Sequence, residues 1–197
     1  MKLISHRRNT LAQLRETPTH LGVEVDIRSA GDRLVIHHDP YVEGLDFEAW
    51  IAEYRHGTLI LNTKEEGLEA RLVESMRRRG IEDFFFLDQS FPFLVKWARQ
   101  GERRCAVRVS EFESIETALT LRGMVDWVWI DCFTRFPLDT AGARRLTDAG
   151  LRLCLGSPEL HGHDPDVEIP RVAALARSLE ITFDAVCTKR PELWQAD

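Results

Sequence analysis

Short apolar runs alternate with segments of helical period along the whole 197-residue chain. This alternation is the strongest constraint on the fold, because strand–helix–strand repeats build parallel sheets covered by helices. Strands are predicted at Lys2–His6, Val23–Ile27, Leu34–His38, Thr58–Thr63, Asp83–Leu87, Cys105–Val109, Trp127–Ile130, Leu151–Gly156 and Ala185–Thr188. They are rich in Val, Ile, Phe and Trp. Several are apolar without clean alternation, as expected of strands buried on both faces. Between them, Leu68, Leu72 and Met76 recur every four residues, and Ile115 and Leu119 form another apolar stripe that ends at Gly123. Leu138, Ala141, Leu146 and Ala149 run up to Gly150, and Ile169, Val172, Ala176 and Leu179 follow with Pro170 near the start. Ser90 before Pro92 reads as a helix N-cap. Short helices are also predicted over 47–54 and after Asn9.

If Leu34–His38 is an extra strand pairing locally with the second, eight βα units remain. The predicted fold class is therefore α/β, a compact TIM-type (β/α)8 barrel, with an open doubly wound sheet as the alternative. No linker, low-complexity tract or composition shift divides the chain, so residues 1–197 read as a single domain. The length is short for such a barrel, typically ~250 residues, which implies trimmed helices and no inserted domain. No apolar run is long enough for a membrane helix, and the first eight residues lack a signal-peptide pattern. A net charge of -6 argues against a general nucleic-acid binder. Cys105, Cys132, Cys154 and Cys187 are scattered, with no Cys-x-x-Cys pair, and read as buried reduced thiols in a cytoplasmic protein.

In a parallel barrel, function gathers where strands end. The first strand delivers His6 and Arg7. The second delivers Glu24 and Asp26, and the extra strand His37, His38 and Asp39. The third delivers Asn62 and Lys64, the fourth Asp88, the sixth Asp131, the seventh Glu159 and His161, and the eighth Lys189. Glu24 and Asp26 are two apart on a strand and share a face. Two buried carboxylates side by side are costly without a cation, so they are either ligands of a hard divalent ion or a structural ion-paired set. His6 and His38 at neighbouring strand ends suit an acid/base pair, whereas either alone could be a core histidine. Arg7 offers a planar fork for phosphate oxygens. The loop carrying Glu159 and His161 reads as a substrate-facing segment, as do the positions of Asp88 and Asp131. Polar-loop, helix-capping and ion-pair roles remain open for these four.

His6-Arg7, Asn9-Thr10, Glu24-x-Asp26 and Val35-Ile36-His37-His38-Asp39-Pro40 together resemble the glycerophosphodiester phosphodiesterase family, in order and spacing. Leu59–Lys64 resembles that family's third strand, and Thr188 with Pro191 its C-terminal stretch. The resemblance implies a TIM barrel that cleaves a small glycerophosphodiester-like substrate with a magnesium or calcium ion. It implies Glu24, Asp26 and Asn62 at the metal, His6 and His38 as acid and base, and Arg7 and Lys64 on phosphate.

The chain also departs from the pattern. Arg8 stands where the family has glycine, the loop before Asn9 lacks its usual Pro-Glu, and Asn62 stands where the family has glutamate. Two carboxylates in place of three weaken attraction for a dication. Two alternatives follow: a phospholigand-binding protein that has lost catalysis, and a metal-independent phosphodiester lyase. The retained Glu24 and Asp26 argue against the second.

Overall fold

The computed structural model describes residues 1–195. In chain order the elements are β1 (Lys2–Ser5), α1 (Leu11–Glu16), β2 (Gly22–Ala30), β3 (Arg33–Ile36), β4 (Leu45–Asp46) and α2 (Phe47–Glu53). Then come β5 (Leu59–Thr63), α3 (Glu69–Arg79), β6 (Phe84–Leu87), α4 (Phe91–Arg99), β7 (Ala106–Val109), α5 (Ile115–Thr120) and β8 (Trp127–Ile130). The chain finishes with α6 (Thr140–Asp148), β9 (Arg152–Gly156), a 3₁₀ turn (Pro158–His161), α7 (Pro165–Ser178), β10 (Ala185–Thr188) and α8 (Pro191–Trp194).

Eight of the strands form one parallel ladder in the order β7-β8-β9-β10-β1-β2-β5-β6. The sheet curls until its two ends approach. There Phe86 and Cys105 form a single parallel bridge, and the Phe86 N–H donates to the Arg104 carbonyl at 2.8 Å. β3 pairs antiparallel with the far end of β2 (Ile27 opposite Ile36), and β4 pairs with β3. The extra strand is thus a local hairpin on β2, as its position predicts. The tight turn at Gly31 allows it with a φ of 59°.

Residue parity along the strands divides the core in two. One apolar layer lies between the sheet and the helices and includes Val23, Val25, Leu59, Leu61, Leu72 and Met76. A second fills the inside of the curl: Ile4, Ile60, Phe85, Leu87, Ala106, Trp127, Trp129, Cys154, Ala185 and Cys187. At its base Phe85 stacks on Trp127 at 4.6 Å, and the Arg152 guanidinium covers that indole at 4.1 Å. Above this plug the same inward parity brings up Glu24, Asp26, Asn62, Arg108 and Asp131. A polar mouth therefore sits on an apolar floor. All four cysteines are unpaired and buried. No helix among the described residues is long and apolar enough to cross a membrane.

Three local details differ from the sequence expectation. α7 begins at Pro165, with Asp164 as its N-cap, so Pro170 lies inside the helix and not near its start. Pro165, directly after the cap, is pre-set for the first helical position. Ser90 occupies the cap position of α4 but makes no cap bond; its hydroxyl donates to Glu66 instead. The two-residue strand β4 was not foreseen.

Candidate functional site

One wall of the mouth is built by β1, β2 and β5. Glu24 and Asp26 are fully buried on β2. The register sets Asp26 opposite Asn62, and the Asn62 amide donates to Glu24 Oε1 at 2.8 Å. Just past β1, Arg7 takes a left-handed conformation, φ 53°. This turn aims its backbone N–H at Glu24 Oε2, 2.6 Å away, and its guanidinium at Asp26 Oδ2, 3.1 Å away. Asn9 clasps Asp26 from the other side: its amide donates to Oδ2 at 2.8 Å, and its carbonyl accepts the Asp26 N–H at 3.0 Å. Lys64 Nζ lies 3.3 Å from Asp26 Oδ1.

This wall remains unsatisfied. His6 Nδ1, Asp26 Oδ1 and Asn62 Oδ1 are buried without a hydrogen-bond partner. Burial, reinforced by the charge of Asp26, pushes the Glu24 carboxyl up to about 7. Burial, then the charges of Arg7 and Lys189, pulls the His6 imidazole down to about 3. His6 Nε2 stands 3.6 Å from Glu24 Oε2, too far for a hydrogen bond. The free Asn62 oxygen and Asp26 Oδ1, which only the Lys64 ammonium approaches, suit a hard cation beside a buried carboxylate, so Glu24, Asp26 and Asn62 fit an oxygen-ligated ion. Among the described residues no group of three or more His, Cys, Asp or Glu is placed to hold a metal. The third oxygen here belongs to an amide.

His38 follows β3 and is half-exposed, with Nδ1 2.8 Å from Asp39 Oδ1. It lines a surface cleft with Arg7, Asn9 and Ile36. Arg28 holds its backbone, donating to the His38 carbonyl at 2.9 and 3.1 Å and to the Lys64 carbonyl at 3.1 Å. Arg7 therefore links the His38 cleft to the carboxylates, and no direct contact joins His38 to them among the described residues.

The opposite wall comes from β6, β7, β8 and the loop after β9. Asp88, left-handed at φ 60°, accepts from Lys64 Nζ at 2.9 Å and from Arg108. Burial alone raises the Asp88 carboxyl, but Lys64 and Arg108 outweigh it and hold it below its usual range. Arg108 Nη1 reaches Asp131 Oδ2 at 3.2 Å. Asp131 Oδ1 also accepts the Trp129 indole N–H at 2.8 Å and meets His161 Nε2 at 2.8 Å. The sequence-derived set Asp88, Asp131, Glu159 and His161 thus splits in two. Glu159 turns inward as a brace, accepting Thr188 Oγ1 at 2.6 Å, the Lys189 N–H at 2.9 Å and the Ser157 hydroxyl. The other three border the mouth.

Arg108 and Asn9 carry no role in the sequence reading, yet Arg108 ties Asp88 to Asp131 and Asn9 clasps Asp26. A charged residue inside the otherwise apolar run Ala106–Val109 was the available signal for Arg108. Asn9 stood in the motif without an assigned partner.

No protein-family model matches the chain, and no curated protein does. Solved structures do. A glycerophosphodiester phosphodiesterase from Agrobacterium tumefaciens str. C58 superposes with a TM-score of 0.65 at 17% identity, over 99% of this chain and 97% of that one. A Galdieria sulphuraria protein provisionally named for the same activity gives 0.71 at 15% identity, over 98% and 96%. A glycerophosphoryl diester phosphodiesterase from Parabacteroides distasonis gives 0.67 at 12% identity, over 99% and 85%. The fold is therefore shared with these phosphodiesterases along nearly the whole chain.

Proposed function

We propose that this chain is a phosphoric diester hydrolase acting on a small glycerophosphodiester-like substrate, on a single-domain eight-stranded barrel closed at the β6–β7 seam. The observation that carries the reading is the buried Glu24–Asp26 pair, set among Arg7, Lys64, Asn62 and His6 at the strand ends of a fold shared with glycerophosphodiester phosphodiesterases. Four buried, unpaired thiols accord with the cytoplasmic location read from the sequence.

Glu24, Asp26 and Asn62 would hold a divalent cation, magnesium or calcium. When bound, it would offset charge on the non-bridging phosphate oxygens. The chain's own groups supply the rest. Arg7 and Lys64 each neutralise Asp26 at rest and can pair with an incoming phosphate. His6, kept neutral by burial, accepts the proton of a substrate hydroxyl adjacent to the phosphodiester. That oxygen attacks phosphorus, and the leaving oxygen takes a proton from a second imidazole, a role the motif gives to His38. Buried Asn9 and Glu24 contacts fix the orientation of Asp26 and of the Arg7 turn before substrate arrives.

To test this, the purified protein is assayed on a panel of glycerophosphodiesters with magnesium, calcium or chelator, following release of phosphomonoester. The expected result is metal-stimulated turnover. Absence of turnover on every diester and metal by folded protein would overturn the reading. A second reading, a phospholigand-binding protein without catalysis, is favoured by one observation: the amide of Asn62 already occupies Glu24 Oε1. Thermal stabilisation by glycerol phosphates without product formation would select it.

A further inference from the structure

The wall facing Glu24 and Asp26 carries an imidazole that is more firmly held than His38. His161 ends the 3₁₀ turn after β9, and its side chain is 16% exposed against 43% for His38. Its Nε2 is 2.8 Å from Asp131 Oδ1, and its ring packs 4.5 Å from Phe133. The neighbouring His163 fixes the same segment through a 2.9 Å contact from Nε2 to the Phe133 carbonyl.

Asp131 is 2% exposed and held from three sides by Arg108, Trp129 and His161. Space for it exists because β9 presents Gly156: a Cβ there would lie 2.7 Å from Asp131 Oδ1 and 3.0 Å from the Trp129 ring. Nε2 makes the bond to Asp131, and no hydrogen bond of Nδ1 is found among the described residues. An imidazole fixed at one nitrogen by a buried carboxylate, with the other nitrogen available, is the arrangement that orients a proton donor.

The two walls share one floor. The Cys187 thiol, pushed far up by burial, is raised further by the charges of Glu24, Glu159 and Asp131. A run of ion pairs also joins them: Arg7 to Asp26, Lys64, Asp88, Arg108 and Asp131.

We propose that His161, held by Asp131, takes the role the motif gives to His38: it is the catalytic acid for the departing alcohol, and Asp131 is its positioning residue. This rests on the phosphodiesterase reading above. In the first half-reaction the substrate hydroxyl gives its proton to His6 and its oxygen bonds to phosphorus. The bond from phosphorus to the leaving oxygen breaks with its electron pair on oxygen. That oxygen takes the proton from His161 Nδ1, while Nε2–H stays on Asp131. The products are an alcohol and a cyclic phosphate. Water then adds to the cyclic phosphate, giving one proton back to His161, and the ring oxygen recovers the proton held on His6.

The test compares two glycerophosphodiesters, one with an alkyl alcohol as leaving group and one with a nitrophenol, which departs without protonation. The wild type, His161→Gln, Asp131→Asn and His38→Gln are assayed on both, with thermal unfolding as a fold check. His161→Gln is expected to lose about 10²–10⁴-fold in kcat on the alkyl diester and less than about tenfold on the nitrophenyl diester. Asp131→Asn, which keeps the imidazole, should show a smaller split of the same sense. Equal losses on both diesters, no loss on either, or the split in His38→Gln in place of His161→Gln would overturn the proposal. Wild type inactive on both diesters would instead remove the phosphodiesterase reading, and this one with it.

Discussion

The two walls of the mouth carry similar numbers of charged groups and treat them in opposite ways. On the β6–β9 wall every charge has its complement. Arg108 lies between Asp88 and Asp131, Lys64 completes Asp88, and Trp129 and His161 complete Asp131. On the β1–β2–β5 wall two carboxylates share a buried site and three polar atoms make no hydrogen bond, although Lys64 Nζ approaches one of them, Asp26 Oδ1, to 3.3 Å. Burial, then the charge of Asp26, pushes the Glu24 carboxyl up to about 7. Folding alone gains nothing from such a wall, since an unsatisfied buried polar group costs about 1–3 kcal/mol. Its unmet valence is what a phosphate and a cation would meet. On the proposed reading the saturated wall is a scaffold that aims side chains, and the unsaturated wall is where a ligand would complete the structure.

The largest effect should come from the unsaturated wall, in activity and not in stability. His6→Gln is expected to lower turnover of a glycerophosphodiester by about 10²–10⁴-fold, while thermal unfolding stays within a few degrees of wild type. A large fall in unfolding temperature with normal specific activity would make His6 structural. Breaking the saturated wall should cost stability as well. Arg108→Met strands the carboxylates of Asp88 and Asp131, and is expected to cost ~2–4 kcal/mol in denaturant unfolding, less than for fully buried pairs because Arg108 is partly exposed. A loss below about 0.5 kcal/mol would show that the network is not a scaffold.

A third expectation sharpens the comparison through pH. Folded His6 titrates near 3 and unfolded His6 near its ordinary 6.5, so between these values only the unfolded chain binds the proton. Stability from His6 is therefore present above 6.5 and lost as pH falls toward 3. Glu24 has the opposite sign: between 4.5 and 7 the folded chain holds the extra proton, so its contribution falls as pH rises. From 4.5 to 6.5 the two slopes oppose each other. Removing His6 should uncover the Glu24 slope, so His6→Gln is expected to lose stability relative to wild type as pH rises through that window. Parallel stability curves for the two proteins would contradict the burial-driven shift of His6. The smallest expected effect concerns Asn62. Asn62→Glu adds a third carboxylate and should tighten calcium or magnesium binding in calorimetry about tenfold, and unchanged affinity would remove Asn62 from the ion.

Much of this arrangement was legible in the sequence. The strand runs and their parity placed His6, Glu24, Asp26, Asn62, Lys64 and Asp131 around one mouth, because inward parity is fixed once the strand and its floor residues are known; Asp88 has the opposite parity to Phe85 and Leu87 and joins them through its left-handed turn at the strand end. Partners were not legible. Arg108 reaches two carboxylates 20 residues before and 23 after it through side-chain length that no local pattern encodes. The position of His38 depends on Arg28 tying its carbonyl to that of Lys64, a contact between segments far apart in the chain. Glu159 reads as substrate-facing because it follows a strand, yet three donors from β10 and the turn itself draw it inward. Local spacing sets which way a side chain leaves the backbone. Which neighbour it meets is decided by the curling of the sheet.

The most direct test of the difference between the walls is a crystal structure grown with manganese and glycerol phosphate. Anomalous scattering would locate the ion, and difference density the phosphate. The expected result is an ion bounded by Glu24, Asp26 and Asn62, with the phosphate against Arg7 and Lys64. Phosphate seated instead on Arg108, with no ion between Glu24 and Asp26, would contradict the division of the mouth into a binding wall and a scaffold.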